Sequence, residues 1–416
     1  MNFSKLSRKL RKKIIQISGE VSRGLDKTAC RFISESVYGL LASQSVLLTE
    51  IGRCLEEPIS LKKTEERLSR QIYKPEIWAT LHNNILEHVS SRIKEDTLLI
   101  LDISDINKPY AKKMEYLAQV RDGSSGKIVR GYWLVEVIAT ALGSKLLLPL
   151  YSDSYTQVNP NFKSENDEIL KAIFFIRERL NNRGIWVIDR GGDRETLYGP
   201  LLKNNCRFII RLVGNRNLIY NRKICLAENL ALSCQCPYSE VIARLKDGRE
   251  ISYYVSYGYR PVKLPGYTQQ LYLLVVKGLG EKPLMLLTTE QLRLNRSVLT
   301  TLAKMYFKRW KIEETIRFVK QGFDLENVRL MRYRSLRNLL ALLLLVFWFL
   351  NDVLELNQKL KIMAGHILTC SKRVFGIPEF TFYALGDGIR AIFVRSPCSI
   401  TNLIKNTQNS KQLALF

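Results

Sequence analysis

Apolar and polar residues alternate with two different periods along the chain, and the change comes near residue 96. Up to about residue 95 the spacing is helical and the residues largely polar. Within this part, "SVLLTEIGRCLEEPISLKKTEERLSRQI" (Ser45–Ile72) reads as helix, turn at Glu57–Pro58, helix, with Ser60 placed to cap the second helix. The outer face of that second helix offers Lys62, Lys63, Arg67 and Arg70. A helix-turn-helix with a basic recognition helix would look like this, and so would a plain helical bundle.

From Thr97 the texture is that of buried strands. "TLLILDIS" (Thr97–Ser104) is a continuous apolar run. "EYLAQVRDGSSGKIVRGYWLVEVIAT" (Glu115–Thr140) predicts two strands around a turn at Asp122–Lys127. A helix follows over Ser164–Gly184, then a short strand "IWVID" (Ile185–Asp189), a helix over "RETLYGPLLKNN", and a strand "CRFIIRLV" (Cys206–Val213). The order β-β-β-α-β-α-β followed by a long helix predicts an α/β fold with a ribonuclease-H-like core. That pattern is interrupted at 214–290 by Tyr-, Val- and Ile-rich runs with turns at Asp247–Gly248 and Pro265–Gly266, which predict an inserted β subdomain. The domains expected are therefore a helical DNA-binding region 1–95, a catalytic core 96–213 resumed at 291–356, the insertion 214–290, and a C-terminal region 357–416 without an assigned role. "LLALLLLVFWFL" (Leu339–Leu350) spans twelve residues, short of the roughly 20 that cross a bilayer. It predicts a core helix, with no membrane partner.

Charge narrows the choice of partner. The 416 residues carry 64 Lys and Arg against 39 Asp and Glu, a formal charge of +25. From Lys203 to Arg337 the count is 25 Lys and Arg against 10 Asp and Glu, so the excess is concentrated. This points to a polyanion, nucleic acid before an anionic membrane surface. Eight cysteines without disulfide-like spacing and three histidines give little support for a zinc site, and fit free thiols in a reducing cytoplasm.

Acidic residues inside this basic background are then informative. On one helical wheel starting at Tyr306, Arg309, Glu313 and Lys320 fall at about 300°, 340° and 320°, one narrow stripe, while Glu314 falls near 80°. Alone, such a stripe reads as surface ion pairs. Asp102 and Asp189, however, each end an apolar strand run, and with Glu313 they could converge at one sheet edge. Asp105 and Asp193 are rivals for the two aspartate positions, with turns or supporting contacts as their other reading. Three carboxylates without His or Cys suit Mg²⁺ or Mn²⁺, and two such ions serve phosphoryl transfer.

The spacing Tyr306-x2-Arg309-x3-Glu313-x6-Lys320 resembles the Y-R-E-K signature of a large family of bacterial insertion-sequence transposases, the IS-four-type DDE enzymes with a β-strand insertion. "ILDISD" and "VIDRGGDRE" resemble that family's two aspartate regions. The resemblance implies a metal-binding triad of Asp102, Asp189 and Glu313, and contacts to transposon-end DNA by Tyr306, Arg309 and Lys320. It further implies binding of terminal inverted repeats, 3′-end cleavage, joining to target DNA, and a homodimer on DNA in the cytoplasm at the nucleoid. A ribonuclease-H-like nuclease of the junction-resolvase type and an inactive DNA-binding derivative are the other readings. None of the five tryptophans lies in the insertion, so an excision route without a hairpin is favoured.

Overall fold

The apolar run beginning at Leu98 forms a central strand, β1 (Leu98–Asn107), with Leu98, Leu99, Ile100 and Leu101 all buried. A strand apolar on both sides needs cover on both sides, which helices provide here. The structure is a computed structural model. It describes residues 3–123, 125–246, 249–355, 358–362 and 382–404, so the turn expected at Asp247–Gly248 and most of the C-terminal region lie outside the described residues.

Before β1 come α1 (Phe3–Val21), α2 (Lys27–Ser43), α3 (Leu48–Cys54), α4 (Leu61–Ile72) and α5 (Ile77–Ser90). After it come β2 (Ala118–Arg121), β3 (Ile128–Thr140), β4 (Leu148–Tyr155), α6 (Glu165–Arg179), β5 (Ile185–Ile188), α7 (Glu195–Lys203) and β6 (Phe208–Arg211). β1 is antiparallel to β3 and parallel to β5, and β5 is parallel to β6. The outer edge of β3 is shared: β2 pairs with Ile128–Gly131 and β4 with Trp133–Ala139. β4 escaped the sequence reading because Pro149 interrupts its apolar run. Proline is tolerated in a strand at an edge or bulge, and Pro149 sits beside a register shift at Val137–Ile138.

The insertion contributes β7 (Asn217–Tyr220), β8 (Lys223–Leu226), α8 (Ala227–Leu232), β9 (Tyr238–Lys246), β10 (Arg249–Val262), β11 (Leu271–Lys277) and β12 (Leu284–Thr288). Its strands were anticipated as a subdomain of their own. Instead β12 pairs with β6 through Arg211–Leu286, Ile210–Leu287 and Ile209–Thr288, so β9 to β12 extend the central sheet to ten strands. Only β7 and β8 form a separate two-stranded sheet.

The helices α9 (Arg296–Phe307), α10 (Trp310–Gly322) and α11 (Tyr333–Trp348) follow, and a further helix, α12 (Phe382–Arg395), lies in the C-terminal region. A single helix through Tyr306–Lys320 was expected; the chain instead turns at Lys308 and Arg309. There the amides of Arg309, Lys311 and Ile312 each donate to the carbonyl three residues earlier, the tighter 3-10 pattern. No Pro or Gly marks this break, so the sequence hid it. α10 lies over β1 and β3.

α11 carries the long apolar run and is buried along nearly its whole length among α2, α5 and β4. With its extension to Val353 it is long and apolar enough to cross a membrane, but 83% of that window is enclosed by protein. Its one buried amide, Asn338, accepts from the Trp78 backbone N–H (3.0 Å) and donates to the carbonyls of Ile72 and Lys74 (2.7 Å each). The N-terminal helices are thus built into the core rather than hung beside it.

Candidate active site

Asp102 lies inside β1, not at its end, since the strand continues to Asn107. Asp189 directly follows β5 and caps the 3-10 turn Arg190–Gly192, its Oδ1 accepting from the Gly191 amide at 2.7 Å. Glycine permits this approach: a Cβ at 191 would stand 2.9 Å from that oxygen. Because β1 and β5 are parallel neighbours, with Leu101 opposite Ile188, the next residue of each strand is an aspartate at the same level.

Glu313 comes from the first turn of α10 and remains nearly half exposed. Arg309 joins the set. Its guanidinium donates to Glu313 Oε1 at 2.5 Å and stands 3.5 Å from Asp102 Oδ2. Burial raises the Asp102 pKa most; Asp189 and Glu313 raise it further against the pull of Arg309, to about 7. Asp189 and Glu313, from stretches of chain far from β1, thus both bear on the Asp102 carboxyl.

Glu314 faces elsewhere and pairs with Lys311 at 2.9 Å, as the helical wheel anticipates. Asp105 is buried, accepting from the Gly123 amide (3.2 Å) and lying 3.4 Å from Lys320 Nζ. Asp193 accepts from Arg216, the Tyr198 hydroxyl and the Val213 amide, which makes it a structural bracket. Neither rival is among the charges that act most strongly on Asp102.

The residues assigned to DNA by resemblance divide. Tyr306 is 3% exposed and Arg309 7%, so neither is presented to a duplex in this structure. Tyr306 packs near Arg309 and Arg211, and burial pushes its phenol up. Lys320 is partly buried and shared between Asp105 and Glu326 (3.5 Å). All three are turned into the protein, and of them Arg309 reaches Asp102 and Glu313. On α4, Lys62, Lys63 and Arg70 are exposed, but Arg67 turns inward to Glu35 (2.6 Å) and Glu57 (2.9 Å) and leaves the proposed recognition face. Ser60 precedes α4 without a side-chain cap.

The sequence reading passed over Glu136. It sits on β3 directly opposite Asp102, and burial raises its carboxyl to about 7. An acid inside the apolar run "LVEVIAT" was the available signal.

Among the described residues no three Asp, Glu, His or Cys side chains stand close enough to enclose an ion. Arg309 is the cation lying between Asp102 and Glu313. The donor chemistry nevertheless fits a hard divalent ion: all oxygens, no soft ligand. A carboxyl driven to about 7 partly by neighbours of its own sign is one such a cation would relieve.

Residues 163–349 match the family model "Transposase DDE domain", a span that includes Asp189 and Glu313. Over that span the chain carries a transposase DDE domain. Asp102 lies ahead of the matched span of the transposase, and its place in the site rests on the strand register above. A cryo-EM structure of a piggyBac transposase synaptic complex with hairpin DNA is similar at 10% identity and a TM-score of 0.44, covering 95% of this chain and 78% of that one. No curated protein matches the sequence.

Proposed function

We propose that this transposase belongs to an insertion sequence of the Y-R-E-K type. It binds terminal inverted repeats, cleaves the element's 3′ ends, and joins the new 3′-OH groups to target DNA. The observation that carries this reading is the parallel register that sets Asp102 and Asp189 at one level, with Arg309 linking Asp102 to Glu313. The order β4-β3-β1-β5-β6, with β5 and β6 parallel to β1, supports a ribonuclease-H-like core extended by the insertion.

In the mechanism, Asp102, Asp189 and Glu313 would hold Mg²⁺ or Mn²⁺, two ions being the number in-line phosphoryl transfer uses. An ion held there would supply Lewis-acid chemistry for phosphoryl transfer. The protein fixes the carboxylates: β1 and β5 set two at one level, and the Gly191 amide orients Asp189. Arg309 keeps Glu313 turned toward the site. Exposed Lys62, Lys63 and Arg70, with the basic 203–337 segment, meet DNA phosphates. Pairing two ends requires two active sites, hence a homodimer on DNA, at the nucleoid in the cytoplasm.

The test is incubation with a duplex carrying the DNA that flanks its own gene, Mg²⁺ and a circular target. Cuts at the element's 3′ ends followed by joined products support the reading. Cuts without joining favour a resolvase-like nuclease, and neither activity would leave a DNA-binding derivative.

A further inference from the structure

Asp102 on β1 is paired in register with Glu136 on β3, and Glu136 with Ser152 on β4. Directly paired residues place their side chains on one face of a sheet, so these three form a polar row across it. Glu136 is 6% exposed. Ser152 Oγ donates to its Oε1 at 3.2 Å, while Oε2 is buried without a hydrogen-bond partner. The nearest charges acting on it are Lys320 and Asp102, one favouring its anion and one opposing it.

Packing alone does not account for an acid there. Glutamine would fill the same volume, accept the same bond from Ser152 and carry no charge to bury. What glutamate adds is a negative charge next to Asp102.

We propose that Glu136 is a fourth acidic residue of the active site, a positioning residue that shares a face of the sheet with Asp102 and whose charge strengthens the hold on a divalent cation. This rests on the reading of Asp102, Asp189 and Glu313 as the metal-holding set. Asp102 remains the ligand, and Glu136 stands behind it in the same strand-to-strand row. A carboxylate so placed acts on the ion through Coulomb attraction across a poorly screened interior. Removal of such outer partners typically weakens metal binding about 10- to 100-fold.

The experiment is a Mn²⁺ titration of the full chain bound to a duplex of its own flanking DNA, with free Mn²⁺ read by electron paramagnetic resonance. Thermal melting of each variant runs alongside. Glu136→Gln is expected to weaken Mn²⁺ binding at least about tenfold while its melting temperature holds or rises, because a buried charge is gone. Glu136→Asp keeps the charge and is expected to keep most of the affinity, even if its shorter side chain lowers stability. Mn²⁺ affinity unchanged in Glu136→Gln but lost in Asp102→Asn would overturn the role of Glu136 alone. Equal losses in the Gln and Asp variants would also overturn it, by showing that shape rather than charge matters. Full affinity in Asp102→Asn as well would bring down the metal-holding set and this proposal with it.

Discussion

Arg309 and Glu313 are joined at 2.5 Å across one turn of chain, at the place where α9 gives way to α10. That turn aims a buried guanidinium at the acids instead of at solvent, and a second guanidinium nitrogen lies within reach of Asp102. A residue that resemblance assigns to DNA is, in this structure, the cation that keeps two like charges together. Arg309→Ala should therefore reduce cleavage to background while changing salt-dependent affinity for non-specific duplex less than about twofold, since the many other cations carry that term. Filter binding across a salt series checks this. A large loss of affinity with a shallower salt slope would put the guanidinium on phosphate.

The two adjacent glutamates should separate cleanly. Glu313→Gln is expected to lower cleavage by at least about 100-fold, the upper end of what outer-shell changes cost. Glu314→Gln loses a partly exposed pair with Lys311, and should keep activity within a few fold. Among the aspartates, Asp102→Ala and Asp189→Ala should be inactive. Cleavage that survives Asp102→Ala but not Asp105→Ala would shift the site three residues along β1.

His82 predicts how stability responds to acid. It is fully buried between α5 and β4, its Nδ1 bonded to the Trp78 carbonyl at 2.8 Å and its Nε2 accepting from the Ser152 amide at 3.2 Å. This pairing calls for the neutral ring. Burial lowers its pKa from 6.5 to about 3. The unfolded chain therefore takes up a proton that the folded one refuses. The His82 contribution is complete above about pH 6.5 and is lost as pH falls toward 3, on the order of 5 kcal/mol in full. Urea midpoints between pH 7 and 4 should fall steeply in the parent, and less steeply in His82→Gln, which has no group titrating there.

On α4, charge and stability should come apart. Reversing Lys62, Lys63 and Arg70 to Glu leaves packing untouched, and should abolish preference for the element's ends if this helix reads them. Arg67→Ala should instead destabilise the fold by roughly 2–4 kcal/mol, because Glu35 is completely buried and relies on Arg67 and Arg31. Competition binding and chemical denaturation measure the two effects separately. Selection of the ends by the Lys62/Lys63/Arg70 variant would place recognition elsewhere.

The sequence revealed what depends on local pattern. The apolar run ending at Asp102, the α6 start capped by Ser164, and the strands at 185–188 and 208–211 all appear where hydrophobic spacing puts them. So does the separation of Glu313 from Glu314. It concealed what depends on pairing between distant strands. Glu136 looks like one acid in an apolar run until the register sets it against Asp102. Likewise, nothing local announces that β12 returns to β6, or that Arg67 bends toward Glu35 on another helix. The tyrosines of β10 fall between these cases. Alternation puts Tyr254 on the opposite face from Tyr257, and Tyr254 is exposed while Tyr257 is buried against Glu240. Whether a side faces protein or water, however, is decided by neighbours that the strand itself does not encode.

The return of β12 to β6 also bears on how such a protein can be altered. The chain leaves the core after Arg211 and comes back at Leu286, and those two residues are partners on one ladder, with the Leu212 amide bonded to the Met285 carbonyl at 2.9 Å. The excursion begins and ends at the same doorway. Its length is therefore nearly independent of the geometry that holds Asp189 and Glu313, and lengthening it adds little closure entropy. Such an excursion can grow, shrink or be exchanged for another while the cutting centre stays where it is. The same doorway is the natural seam for grafting a different surface onto this enzyme.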